Sequence, residues 1–338
     1  MFIKMKYVAL IIVGTLCLAS GFLTPLKYDS KVLSSLSLRR SSVNVPFCTS
    51  LKSATLPPPS SSKVKVSPSK STDKSQDFVF GLSDDLVREK GRKTLVLEGD
   101  DLTTKPYQII LVWGTFLVQF LLSLSSLSTI SSSHPLLSLP LTLTTLLLTY
   151  ALSDLGSGIF HWSVDNYGNG STPILGNIIA AFQGHHTAPW TITERGFENN
   201  VHKLCYPFGV ALPLLSYLLG LRGIGLLSLT TFCFFEIMSQ ELHKWTHQTP
   251  KDTSSVINWL QKYNFVLSRR SHNKHHTMPF SGNYCIVNGW NNGWLDRSGF
   301  FRRLEKMVWE WKGVESNSWK LDGELKERTL RGEFRQEV

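Results

Sequence analysis

The chain has 338 residues, enough for a presequence and one domain of ordinary size, and a formal net charge of +10. That basicity would suit nucleic acid, an anionic membrane surface or a targeting segment. The absence of zinc-finger spacing, an RNP motif or a basic heptad region excludes those nucleic-acid modules and makes a nucleic-acid partner unexpected. Of the five cysteines, Cys17 and Cys48 fall in the expected presequence, and Cys205, Cys233 and Cys285 are too scattered to predict a structural disulfide.

The N-terminus reads as an address. Lys4 and Lys6 precede an apolar run over residues 7–19 that is short for a bilayer. The small residues Ala19-Ser20-Gly21 then lead to Phe22, which predicts a signal peptide over 1–21. Residues 22–95 begin as a stretch rich in Ser, Lys, Pro and Thr with almost no acid and no periodic apolar face. They are expected to be a plastid transit peptide and disordered linker. A signal peptide followed by such a stretch, with Phe at the junction, resembles the bipartite plastid presequence of algae with complex plastids. Secretory entry followed by a disordered luminal tail is the alternative, and it would leave the protein in the endoplasmic reticulum membrane. A membrane domain is expected over 96–320 and a polar tail over 321–338.

Four apolar runs predict the scaffold. Residues 108–127 and 136–152 pair across a Ser-rich turn, and residues 206–219 and 224–239 pair around Gly220-Leu221-Arg222-Gly223. The later two are short for a span of about twenty residues, but Pro213 and the glycines are tolerated in membrane helices. The expected fold is therefore all-α and integral to the membrane, with about four transmembrane helices. Four crossings put His161, His185, His186, His202, His243, His247, His272, His275 and His276 on one face, leaving His134 in the opposite turn as an ordinary loop histidine. Arg269, Arg270, Arg297, Arg302 and Arg303 share the histidine side, which the positive-inside rule assigns to the cytosol-equivalent compartment, the stroma of a plastid.

The histidine spacing carries the chemistry. His161 and Asp165, and His243 and His247, are i,i+4 pairs that share a helix face. His272, His275 and His276 form an HxxHH triplet, and His185-His186 and His202 complete the set. Nine imidazoles exceed the four ligands of one zinc. They suit two irons with positions left open for molecular oxygen, so we read a non-haem di-iron site with oxygen as co-substrate. Asp165 is read as a ligand, or else as the residue that orients His161. Glu236, a costly acid inside an apolar run, and Gln240 are possible supporting residues behind the ligands. Trp162, Trp190 and Trp245 read as interfacial anchors, and Asn199-Asn200 and Asn291-Asn292 as caps or turns.

At this point the motifs resemble a known family. Gly-Ile-Phe-His161-Trp, Gln-Gly-His185-His186 with Pro189-Trp190-Thr191-Ile192-Thr193, Asn-Asn-Val-His202, Gln-Glu-Leu-His243-Lys-Trp-Thr-His247 and Ser-His272-Asn-Lys-His275-His276 are similar, in order, to the Kua-type lipid desaturases. The resemblance runs over residues 105–320. It implies that the nine histidines and Asp165 are iron ligands and that the substrate is a membrane phospholipid. One branch of the family makes a trans double bond at carbon 3 of palmitate on plastid phosphatidylglycerol; the other makes the vinyl ether of plasmalogens. Arg195 stands where the ether-lipid branch has a histidine, so the plastid branch is the nearer one, and His202 is expected to compensate as a ligand. No cytochrome or flavin motif is present, so an external electron donor is implied, ferredoxin by compartment. The enzyme is expected in the thylakoid or inner envelope membrane, multi-pass, facing the stroma. A non-catalytic metal-binding membrane scaffold and a zinc membrane hydrolase are the competing readings, and the latter lacks the general base of an HExxH motif.

Overall fold

The computed structural model describes residues 101–173 and 175–335, so the expected signal and transit segments lie outside the described residues. Every regular element among the described residues is helical. Among the described residues, three helices are long and apolar enough to cross a membrane: α1 (Pro106–Ser133), α2 (Ser138–Asn166) and a later helix, α6 (Gly223–His247). Pro106 opens α1 at a position where a missing N–H costs nothing, and the Gln108 side chain accepts from the Lys105 N–H at 2.8 Å.

The Ser-rich stretch expected to form a turn between the first two runs is instead the last two turns of α1. The break falls at residues 134–137. The hydroxyls explain this. Ser126 donates to Leu122 O and Thr129 to Ser125 O, both at 2.9 Å, so each polar group is satisfied inside its own helix. Thr145, Ser153 and Thr230 do the same further along the bundle.

The third apolar run does not form one regular helix. After the short α3 (Gly176–His185) and a 3₁₀ turn (Pro189–Glu194), the chain enters α4 (Phe197–Leu204), a π-helical segment (Cys205–Ala211) and α5 (Leu212–Leu218) without interruption. Pro207 lies within the π segment and Pro213 just after it, and the Leu212 N–H reaches Pro207 O, five residues back. The path nevertheless travels the length of the bundle. His202 stands beside Gln108, Gly209 lies against Thr115 and Ile237, and Gly223 lies against Thr129 and Ile130. The chain thus runs the bundle's length four times, with α6 at its centre packed on both α1 and α2.

The remaining helices follow from the end of the bundle where α2 and α6 finish. They are α7 (Ser255–Lys262), α8 (Arg269–His275), α9 (Asn292–Ser298), α10 (Phe300–Lys312), α11 (Asn317–Leu321) and α12 (Gly323–Leu330). Of these, α7 is folded back beside Tyr150 and Phe235. The polar tail is helical in α12, which packs on α10 and α11. A buried cluster of Trp162, Tyr167, Tyr284, Cys285, Leu295 and Phe301 fastens this end to α2. Trp162 is therefore a core residue, not an interfacial anchor. Its indole N–H donates to Glu305 Oε1 at 3.2 Å, and Glu305 is paired with Arg302 at 2.7 Å. Cys205, Cys233 and Cys285 are buried free thiols, in keeping with the expected lack of a disulfide among the described residues.

Candidate metal centre

The histidines arrive at one end of the bundle from four elements. The last two turns of α2 carry His161 and Asp165, and the last two turns of α6 carry His243 and His247. The end of α3 brings His185 and the adjoining His186. Helix α8 brings His272 and His275, with His276 as its C-cap. Their donor atoms fall into two groups, each with all members within 4.8 Å of one another. One holds His185, His243, His247, His272 and His276; the other holds His161, Asp165, His186 and His275.

Helical geometry sorts them. The i,i+4 pairs stay together, as do His272 and His276, while sequence neighbours point about 100° apart and separate. His185 and His186 accordingly go to different groups, and so do His275 and His276. The groups are adjacent, since the rings of His161 and His243 are 5.9 Å apart and those of His186 and His276 are 5.1 Å apart.

Within the five-histidine group, Nε2 atoms face Nε2 atoms. His247 Nε2 lies 2.9 Å from His185, 3.1 Å from His243 and 2.9 Å from His272, and His272 lies 3.0 Å from His276. Converging nitrogens of this kind cannot all be satisfied by hydrogen bonds to one another, because each neutral ring has one N–H. In the second group Asp165 Oδ2 is 3.2 Å from His161 Nε2, 3.0 Å from His186 Nε2 and 3.3 Å from His275 Nε2. His161 Nε2, His275 Nε2 and Asp165 Oδ1 are buried without a hydrogen-bond partner. A shared cation would satisfy both arrangements, so the residues fit bound metal.

The supporting shell fixes the rings. His161 Nδ1–H donates to Tyr284 O at 3.0 Å, and His275 Nδ1–H donates to Gly282 O at 2.8 Å. Each thereby presents the lone pair of Nε2 to the group. Burial, reinforced by neighbouring imidazoles, holds His185 and His272 well below the ordinary histidine range and lowers His275 to about 4. These rings are neutral near pH 7, the state that binds a metal. The last carbonyls of α2 also have partners. Gln183 donates to Val164 O at 3.1 Å and Asn317 to Asp165 O at 2.7 Å.

Three expected site residues lie elsewhere. His202 belongs to neither group. It is half-buried, its Nδ1–H donates to Asn199 O at 2.8 Å, and its Nε2 is 3.3 Å from Gln108 Nε2. Glu236 is buried between α6 and α2, where Gly156 makes room for it; a Cβ at that glycine would lie 2.5 Å from Glu236 Oε1. Gln240 is half-buried and touches Ser239 Oγ at 3.5 Å, while its carbonyl accepts from Asn200 at 3.0 Å. The residue-type reading missed Tyr284, Gly282, Gln183 and Asn317. Two act through backbone carbonyls, which leave no signature in residue type.

A lipid desaturase domain model matches residues 150–319, half of the chain. The chain belongs to the lipid desaturase family. It is 42% identical over 174 residues to fatty acid desaturase 4, chloroplastic, of Arabidopsis thaliana, a match covering 50% of this chain and 52% of that protein. It is 40% identical to fatty acid desaturase 4-like 1, chloroplastic, of the same plant, over 50% of this chain and 57% of the relative. It is 32% identical to mouse plasmanylethanolamine desaturase 1, over 46% of this chain and 61% of the relative. The chain thus spans between about half and three-fifths of these curated relatives. No solved structure matches it.

Proposed function

We propose that this protein is an oxygen-dependent membrane desaturase. It uses two irons held by the nine donors of the two groups to place a double bond in an acyl chain of a glycerolipid. The observation that carries the reading is the pairing of the groups. Nine nitrogen and oxygen donors converge at two adjacent points, at the end of a bundle with three helices apolar enough to cross a bilayer. The run through α4, the π segment and α5 supplies the fourth crossing, and both ends of the domain then share the metal side.

Two bound irons would supply the oxidising power, drawn from molecular oxygen, to remove hydrogen from an unactivated methylene. The protein's residues do the rest. Asp165 contributes the one carboxylate, offsetting cationic charge in a buried site. The Tyr284 and Gly282 carbonyls hold two imidazoles in their ligating tautomer. The Trp162, Tyr284 and Phe301 cluster keeps water from the flank of the site, and the apolar bundle admits the acyl chain between helices.

The favoured substrate is palmitate of plastid phosphatidylglycerol, desaturated at carbon 3 in the trans geometry. Two observations support it. Identity is higher to the relatives named chloroplastic fatty acid desaturases than to the plasmanylethanolamine desaturase. Arg195, where the ether-lipid branch has a histidine, is engaged with Asn199 of the Asn-Asn-Val-His202 motif, donating from Nη1 to Oδ1 at 2.8 Å. An ether-lipid desaturase is the second reading. We place the protein in a plastid membrane with the metal side toward the stroma and ferredoxin as electron donor. Metal analysis of the purified protein should find about two irons per chain; zinc without iron would reject the di-iron reading. Profiling phosphatidylglycerol with and without the protein tests the substrate, since trans-unsaturated palmitate that persists in its absence would overturn that assignment.

A further inference from the structure

Two segments of the metal-bearing end turn back along the outside of the bundle, away from the metal groups. The path of residues 284–292 is marked by its partners on α2. Tyr284 O lies at His161, Cys285 packs against Gly158, and the Ile286 N–H donates to Ser157 Oγ at 3.1 Å. The Asn288 and Gly289 N–H groups then donate to Asp154 Oδ1 at 2.9 and 2.8 Å. Trp290 lies on Tyr150, ring centres 5.5 Å apart. Eleven residues of α2 separate His161 from Tyr150, a descent of about 16 Å.

Residues 253–268, which include α7, reach the same depth. Phe265 O accepts from the Tyr150 hydroxyl, Asn264 O accepts from the Trp290 indole at 2.7 Å, and the Leu267 N–H donates to Val287 O at 3.0 Å. The two segments therefore meet at their tips.

Their backbone is supplied with partners from within the protein. Asp154, fully buried on α2, takes the Asn288, Gly289 and Asn291 N–H groups and the Asn291 side chain. Asn292 exchanges two hydrogen bonds with the backbone of Cys285, and Gln261 donates to Leu267 O at 3.1 Å. Irregular backbone in water can take its partners from solvent; at membrane depth it must find them in protein. The outer face has the matching character. Val256, Trp259, Tyr263, Phe265, Trp290 and Trp294 are between 43% and 65% exposed, and Trp259 stacks on Phe265 at 5.4 Å. This face continues the exposed leucines of α2 at Leu143, Leu146 and Leu147. Lys262 is the cation among these residues and lies over the Tyr263 ring, a long side chain placed to reach the headgroups.

We propose that the two tips form a re-entrant aromatic wedge seated in the leaflet on the metal side, with the glycerolipids themselves as its partner. The proposal rests on the reading that the bundle crosses a membrane. Because the wedge is built from the segments that carry Tyr284 and lead into α8, it fixes the depth of the metal groups against the bilayer.

The test places an environment-sensitive fluorophore, in turn, at Val256→Cys and Phe265→Cys of the full chain. The protein is reconstituted in phosphatidylcholine–phosphatidylglycerol vesicles, with the unsubstituted chain as labelling background. Leu143→Cys on α2 and Lys251→Cys on the loop after α6 serve as references. Lipids brominated in the acyl chains should quench the Val256 and Phe265 probes to the extent seen at Leu143, while aqueous iodide quenches Lys251 alone. Iodide quenching at Val256 and Phe265 with lipid quenching retained at Leu143 would overturn the wedge and leave the membrane reading standing. Iodide quenching at Leu143 as well would overturn both.

Discussion

The two histidine groups sit side by side and are built differently. The first is made of five imidazoles and has no acid; the second has three imidazoles around the Asp165 carboxylate. Each group has half-buried members, His247 and His276 in the first and His186 in the second, and in the second His161 and His275 are held from behind by the Tyr284 and Gly282 carbonyls. A neutral donor set leaves a bound cation's charge uncompensated, while a carboxylate offsets part of it. The two positions should therefore differ in affinity and acid sensitivity even though helical repeats generate both.

His275→Ala is expected to have the largest effect. Its ring belongs to the second group alone, so the variant should make no desaturated product yet still insert in the membrane, as checked by lipid profiling and membrane fractionation. Activity in that variant would remove His275 from the ligand set. Asp165→Asn keeps the shape and removes the charge. Metal at the second group should weaken by at least about tenfold while the five-histidine group keeps its own, measured by metal titration; equal loss from both groups would break the distinction.

Acid should strip the metal in a defined direction. His275 is lowered from 6.5 to about 4 by burial and by the neighbouring His161. Between those values the ring of the unfolded chain binds the proton that the folded ring refuses. Its contribution is thus complete above about pH 6.5 and is lost as pH falls toward 4. Metal retained after dialysis across that window is the measurement, and full retention at pH 4 would contradict the assignment. The smallest effect is expected for His202→Ala. It should cost about 1 kcal/mol for the lost bond to Asn199 and leave the metal content unchanged. A fall in bound metal would return His202 to the ligand set.

Residue type and spacing were enough to read a helical bundle, its apolar runs and a donor set of which Asp165 and eight of the nine histidines converge, because i,i+4 pairs and apolar runs are local properties. The Ser-rich stretch before His134 misled, since Ser and Thr signal a turn unless their hydroxyls can bond back to the preceding helical turn. The third run was read as one span, but two prolines and a π segment shape it. Residue type also gave no hint that His185 and His186, or His275 and His276, divide between two groups.

What the sequence determined by itself is which atoms are offered: nine imidazoles and one carboxylate near the ends of apolar helices, in the order of a lipid desaturase. What only the tertiary structure decided is how they are shared. Nine donors converge on two points because α2, α3, α6 and α8 end together, and His202 stands apart because α4 carries it to Gln108. The same holds for Asp154, an unremarkable acid in the chain, whose role comes from contact with backbone more than a hundred and thirty residues away. Convergence of that kind is a property of packing between distant segments, which no local pattern encodes.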